Sequence, residues 1–163
     1  MNLKTVIELI FKPLGLICSD ITEDPECKEY SGFNFMANHL KMKFRISKIT
    51  PTKTGQFVTI WKRNENKETI PFEINDNFDF YLIMTCKDDL SGIFIFPKKT
   101  LSEKGVLSDG EKIGKRGIRV YPKWDYTENK QAKRTQEWQT KYFLEFSDDK
   151  ETILQQAKFL LNI

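Results

Sequence analysis

Basic, aromatic and amide side chains crowd one stretch, FRISKITPTKTGQFVTIWKR at residues 44–63, and it holds no carboxylate. Arg45 and Arg63 bound it, and Lys41, Lys43, Lys48, Lys53 and Lys62 lie within it or on its approach. Lysine and arginine neutralise phosphates and release counterions, which gives affinity for a polyanion without reading its sequence. Gly55 brings a backbone amide and Gln56 a side-chain amide to a phosphate or base edge. Trp61 offers a face for base stacking, or else fills the core; strand alternation puts it on one face with Phe57 and Thr59, and the core is the simpler reading. A second set follows in GKRGIRVYPKWD (114–125) and NKQAKRTQEWQTKYF (129–143). Gly114 and Gly117 bracket Lys115 and Arg116 on a turn, and Arg119 and Lys123 come next. Lys130, Lys133, Arg134, Glu137 and Lys141 recur at helical spacing and make one largely cationic face. Gln131, Gln136 and Gln139 are amides suited to bases or phosphates, while Ala132, Trp138 and Tyr142 form the opposite stripe.

Catalytic chemistry is harder to place. His39 is the single histidine and falls in a turn, so a nucleophilic triad has no good base. Cys18, Cys27 and Cys86 are odd in number, widely spaced and without a CxxC, which favours free thiols over a zinc site. A metal-dependent nuclease needs acidic ligands with a lysine on adjacent strands. Asp76 and Asp79 stand before an apolar strand, but the acid that Lys98 would need two residues earlier is Phe96, and the one for Lys48 is Ile46. Glu65-Asn66-Lys67 and Glu128-Asn129-Lys130 match the pattern literally, in a turn and at a helix start. No phosphate-binding glycine loop and no calcium-binding loop is present. No catalytic residue, metal ligand or cofactor is therefore assigned.

The net charge is +3, yet its distribution is uneven. Residues 41–63 carry +7 and residues 111–141 carry +5, between acidic segments of −3 (1–40), −4 (64–110) and −2 (142–163). Such blocks are often only solvated faces; two of them, each with tryptophan, point to a polyanion surface. At 163 residues, 39% apolar and 30% charged, the chain suits one domain over 1–163 with a core of its own. No apolar run approaches the ~20 residues of a membrane helix, and the N-terminal MNLKTVIELIF carries Glu8 and no small-residue cleavage site. A cytoplasmic protein with no membrane partner is expected.

The elements that must position these groups follow from periodicity. Residues 3–12 read as an amphipathic helix ended by Pro13 and Gly15, and 18–29 as an acidic, irregular stretch with a helical turn near 26–30. FNFMA and LKMKFRISKI flank Asn38-His39 as a hairpin. In its second strand Leu40, Met42, Phe44 and Ile46 face one way, and Lys41, Lys43, Arg45 and Ser47 the other, as a basic row. QFVTIWKR, FDFYLIMTC, IFIF and GIRVYP read as further strands, and PKKTLSEKG as a brief helix. Asp125 and Glu128 predict a capping box that starts a helix running to about Phe143, and a last helix spans about 149–161.

The blocks FRISKITPTKTGQFVTIWKR, Pro71-Phe72, FDFYLIM, GIFIFPKKTL, GKRGIRVYPKWD and KQAKRTQEWQTKYF together resemble the MepB family of bacterial proteins, over about Glu29 to Phe143. The resemblance implies a small cytoplasmic protein, encoded in some bacteria beside a multidrug efflux pump and its repressor. It implies a fold similar to restriction-endonuclease-like α/β domains, and nucleic-acid binding. Positions that match the family pattern are Arg45, Lys48, Lys53, Gln56, Trp61, Lys62, Arg63, Lys115, Arg116, Arg119, Trp124, Lys130, Gln136 and Trp138. With no acid pair in evident form, a nuclease-like fold would here serve binding alone.

The expected protein is thus α/β (α+β), with a central mixed β-sheet flanked by helices in three layers. It binds DNA or RNA largely independently of sequence, through Lys41, Lys43, Arg45, Lys48, Lys53, Gln56, Lys62, Arg63, Lys115, Arg116, Arg119, Lys123, Lys130, Lys133 and Arg134. The alternatives are a metal-dependent nuclease using Asp76 or Asp79 with a neighbouring lysine, and an interaction module for an acidic partner.

Overall fold

The computed structural model describes all residues, Met1–Ile163. Helix α1 (Leu3–Val6) begins at Asn2, whose side chain accepts from the Thr5 N–H, and continues as a π-turn over Ile7–Phe11. Of the acidic stretch expected to be irregular, residues 18–23 instead form an edge strand, β1 (Cys18–Glu23), while the helical turn expected near 26–30 is present as a 3-10 segment, Pro25–Tyr30. β1 is almost wholly exposed and lacks apolar alternation, which hid it. β2 (Phe33–Ala37) and β3 (Leu40–Ile46) form the expected hairpin, with Asn38 at φ 52° in its turn. β4 (Lys48–Ile49) and β5 (Gln56–Thr59) pair across the 50–55 loop, and β6 (Trp61–Arg63) pairs with β7 (Thr69–Pro71). β8 (Phe80–Lys87) and β9 (Leu90–Pro97) make the long apolar hairpin, followed by α2 (Lys98–Glu103) and β10 (Gly117–Val120).

The next helix is shorter than predicted. α3 covers Lys130–Gln139, capped by Asn129, whose side chain accepts from the Ala132 N–H at 2.8 Å. Asp125, the expected cap, is buried and pairs with Lys87 instead. After a 3-10 turn the chain becomes β11 (Phe143–Glu145), because Phe143 and Leu144 are drawn into the sheet beside β9. α4 (Lys150–Leu161) ends the chain and buries Ile153, Ala157 and Leu161.

Six strands form the central sheet in the order β1-β2-β3-β8-β9-β11, with β3 and β8 parallel and the other neighbours antiparallel. It is the mixed sheet flanked by helices that the pattern required. One face carries Met42, Phe44, Leu82, Met84, Ile93 and Ile95, packed by α1 and α4. The other carries Tyr81, Ile83, Phe94 and Phe96, covered by a small sheet, β10-β5-β4, through Val58, Ile118 and Val120. Each such side chain, fully buried, contributes on the order of 1.5–3 kcal/mol.

That second layer decides the fate of the basic row on β3. The apolar residues of β3 face the α1–α4 core as expected. Their alternates face the other layer, because a central strand is covered on both sides. Arg45 is 1% exposed and is ion-paired with Asp24, with its Nη1 on the Phe44 carbonyl at 2.7 Å. Lys43 donates to Asn34 Oδ1 at 2.9 Å and lies over the Phe72 ring. Burial is the leading cause that lowers the Lys43 pKa, with nearby Arg45 second. The row is therefore an internal feature, not a solvated face.

Candidate functional site

A cleft of about 580 Å³ opens where the second layer meets α3. Its walls are the 52–54 loop, β10 and the following Tyr121, α3 along its length, and the segment after α2. Lys53, Lys104, Lys115 and Arg119 line it, against one carboxylate, Glu128. A shallower depression of about 340 Å³ shares Lys104, Gln131, Thr135 and Trp138 with it and adds Arg134, Lys141 and Glu137. Together they form a continuous groove with six cations and two carboxylates. None of the six takes part in an ion pair.

The groove is held open by specific contacts. Gly55 adopts φ +81°, and a Cβ there would lie 2.6 Å from the Tyr121 ring, so the loop closes against Tyr121 only with glycine. Arg119 ties the same loop to β10, donating to Thr50 Oγ1 at 2.8 Å and to the Gly55 carbonyl at 3.3 Å. On the far wall, Gln139 accepts from the Tyr121 N–H at 2.8 Å and donates to the Arg119 carbonyl at 2.9 Å. Gln136 donates to the carbonyls of Pro122 and Asp125 and accepts from Thr127. α3 thus docks through Ala132, Gln136 and Gln139 at helical spacing, with backbone-bonded amides where most helices use an apolar stripe. Its other face presents Gln131, Arg134, Thr135 and Trp138 to the groove, and the 3-10 turn that follows adds Lys141. Trp138 packs on Phe96 at 5.4 Å between centroids, and Lys104 Nζ lies 5.7 Å from its ring centre.

The fifteen residues expected to contact a polyanion fall into distinct places. Lys53, Lys115, Arg119 and Arg134 line the groove. Lys48, Arg116, Lys130 and Lys133 are exposed outside it; Lys48 lies over the Tyr30 ring, and Arg116 donates to the Thr69 carbonyl. Lys62 bridges Glu73 and Asp76, both at 2.6 Å, and Arg63 holds Glu26 at 2.8 Å. Lys123 pairs with Glu145 at 2.8 Å and Asp148 at 3.8 Å, and the Glu145 hydrogen bond is the main cause that raises its pKa. Lys41, half-buried, reaches Asn77, while Lys43 and Arg45 point inward. Gln56 is 1% exposed, accepting from Ser47 and donating to the Cys86 carbonyl, so its amide is spent inside the fold. Gln136 and Gln139 are likewise structural; Gln139 lines the cleft too but is 1% exposed, whereas Gln131 is exposed in the groove wall.

Two cations were not among the expected contacts. Arg134, Trp138 and Lys141 stand at i, i+4 and i+7, so one helical face unites them and Lys141 was legible from spacing. Lys104 was not, because only the tertiary packing brings the end of α2 to α3. The acids named for a nuclease are committed elsewhere. Asp76 holds Lys62, and Asp79 Oδ2 accepts from the Lys41 backbone N–H at 2.8 Å. No three His, Cys, Asp or Glu gather in a metal-holding group.

A family model described as MepB-like matches residues 24–145. The chain belongs to the MepB-like family. A solved crystal structure of MepB is similar to it at 39% identity, with a TM-score of 0.79, covering 81% of this chain and 89% of that one. No curated protein matches. The family match runs from Asp24 to Glu145, so it includes every groove residue and leaves out α1, β1 and α4. No helix is long and apolar enough to cross a membrane.

Proposed function

We propose that this protein binds nucleic acid, largely independently of sequence, through the groove between the 52–54 loop, β10 and α3. The observation that carries this reading is six groove cations free of ion pairs, while Lys62, Arg63, Lys123 and Arg45 are all paired. Unpaired cations lining a concave wall sum to a positive potential where a phosphate chain would lie. Their neutralisation by phosphates releases counterions and supplies affinity that depends little on the bases. The internal use of the Gln56, Gln136 and Gln139 amides supports a low dependence on sequence, since groups suited to base edges bond the protein's own backbone.

The test is anisotropy with labelled DNA and RNA at low salt, for the native chain and a Lys53→Glu/Lys115→Glu variant. Binding that is lost in the variant supports the proposal; binding that is equally strong in it counts against the groove. A pull-down partner that stays bound after nuclease treatment would turn the reading toward an acidic protein partner. We infer that the protein acts in the cytoplasm, a compartment suited to its three unpaired cysteines. A restriction-endonuclease-like ancestry belongs to the same proposal, with binding kept and no acid pair for cleavage. Intact DNA and RNA after incubation with magnesium or manganese is the expected result.

A further inference from the structure

We infer that the groove takes a single strand and seats one of its unstacked bases against Trp138. This deepens the nucleic-acid reading above and rests on it. The cleft is a concavity of about 580 Å³ between a loop and a helix, a volume in the range that holds one nucleotide. Its cations are divided between the two depressions. Lys53, Lys115 and Arg119 belong to the cleft, and Arg134 and Lys141 to the depression beyond Trp138. A free nucleotide offers its phosphates at one end; a strand offers phosphates on both sides of a base, and Trp138 lies in the stretch that the two depressions share.

Trp138 is suited to the part. The half-buried indole leans on Phe96 at 49° between planes, with the flexible Lys104 ammonium 5.7 Å from its ring centre, and the residue remains part of the groove wall. Aromatic stacking accepts any base, in keeping with weak sequence dependence. Tyr121 and Gln131 complete the walls, and the Gln131 amide is uncommitted by any hydrogen bond within the chain. A duplex keeps its bases stacked inside, so it could use the cations but not the indole.

The experiment compares a thymidine strand of about 12 nucleotides, a length within the usual footprint range, with a duplex of equal length and with thymidine monophosphate. Affinity and tryptophan emission are followed at one salt concentration, and thermal melts confirm that each variant folds. The single strand is expected to bind tighter than the duplex and the mononucleotide and to quench emission. Trp138→Leu should weaken the single strand by about 5- to 150-fold, the range spanned by loss of one base–aromatic stack. Trp138→Phe, which keeps an aromatic face on Phe96, should retain most of the affinity while losing the quench. Equal binding of strand and duplex, with Trp138→Leu folded and without effect, would overturn the single-strand inference and leave salt-dependent binding standing. Thymidine monophosphate binding as tightly as the strand would overturn the polymeric source. No binding of any probe at low salt would overturn both this inference and the reading beneath it.

Discussion

The groove can be counted by salt. Lys104 and Lys115 enter it from different segments, the end of α2 and the turn before β10, and neither pairs with a carboxylate. Replacing both with glutamine removes two of six cations and little packing, since both are exposed. On a single strand the slope of log K against log salt is about −0.7 per neutralised phosphate. If all six cations are engaged, the native slope is about −4, and the double variant's about −3. Between about 50 and about 200 mM salt the native protein should then lose roughly 300-fold in affinity and the variant roughly 50-fold. At about 50 mM the variant should be weaker by roughly 60-fold, and the two lines should meet on extrapolation toward ~1 M. The control is Lys150→Gln/Lys158→Gln on α4, the same change of net charge away from the groove. Anisotropy titrations at four or more salt concentrations read the slopes. Equal shifts in the two double variants would refute the reasoning, because binding would then follow net charge and not the groove.

Four further outcomes test the framework around it. Asp24→Ala leaves the Arg45 guanidinium buried without its carboxylate, and its Nε has no partner already; a loss of about 3–5 kcal/mol is expected in urea unfolding. Gln139→Leu strands the Tyr121 N–H and the Arg119 carbonyl, with an expected cost of about 1–3 kcal/mol and faster hydrogen exchange along α3. Gly55→Ala places an L-residue at φ +81° and a methyl against Tyr121; about 1–3 kcal/mol of strain is expected, with a weakened groove in the same anisotropy assay. The last concerns pH. Burial lowers the Lys43 pKa in the fold below its ordinary value of 10.5. Between the lowered folded value and the unfolded one, the unfolded chain binds more protons, so stability rises with pH in that window and the penalty is complete below it. Lys43→Met should therefore gain stability relative to the native protein at neutral pH, and the gain should shrink as pH climbs through that window. A constant difference in denaturation midpoint across the alkaline range would show that Lys43 is not the group responsible.

What could be read from the chain, and what could not, divides along a physical line. The β2–β3 and β8–β9 hairpins were legible because their alternation and turn residues are local properties. β1 was not, because an exposed edge strand that packs little against the core carries no periodic signal. α3 was placed but overextended, since the helical pattern continues through Tyr142 while Phe143 and Leu144 gain more by pairing with β9. At the site, the basic block 41–63 was visible, but its sequence could not say that β3 would be covered on both faces. A side chain's partner is a tertiary fact. Asp24 lies 21 residues from Arg45, and Glu26 lies 37 from Arg63.

The same line explains why the groove ended up where it did. Cations on or beside the strands under the second layer, Lys43, Arg45 and Lys62, stand where solvent is excluded or carboxylates are near, and burial without a partner is costly. Each is accordingly matched: Arg45 by Asp24, Lys62 by Glu73 and Asp76, Lys43 by Asn34 and the Phe72 ring. Lys53, Lys104, Lys115, Arg134 and Lys141 come from a loop, the end of a helix, a turn and an outward helix face, where water screens them and no partner is needed for folding. Arg119 is the exception that supports the rule. It is half-buried and has no carboxylate, yet it is held by Thr50 and two backbone carbonyls, which position a guanidinium while leaving its charge uncompensated. On the proposed reading this neutral cradle holds the charge for an incoming phosphate, so Arg119→Gln should weaken binding of a single strand more than Lys133→Gln on the outer face of α3, measured in the same titration.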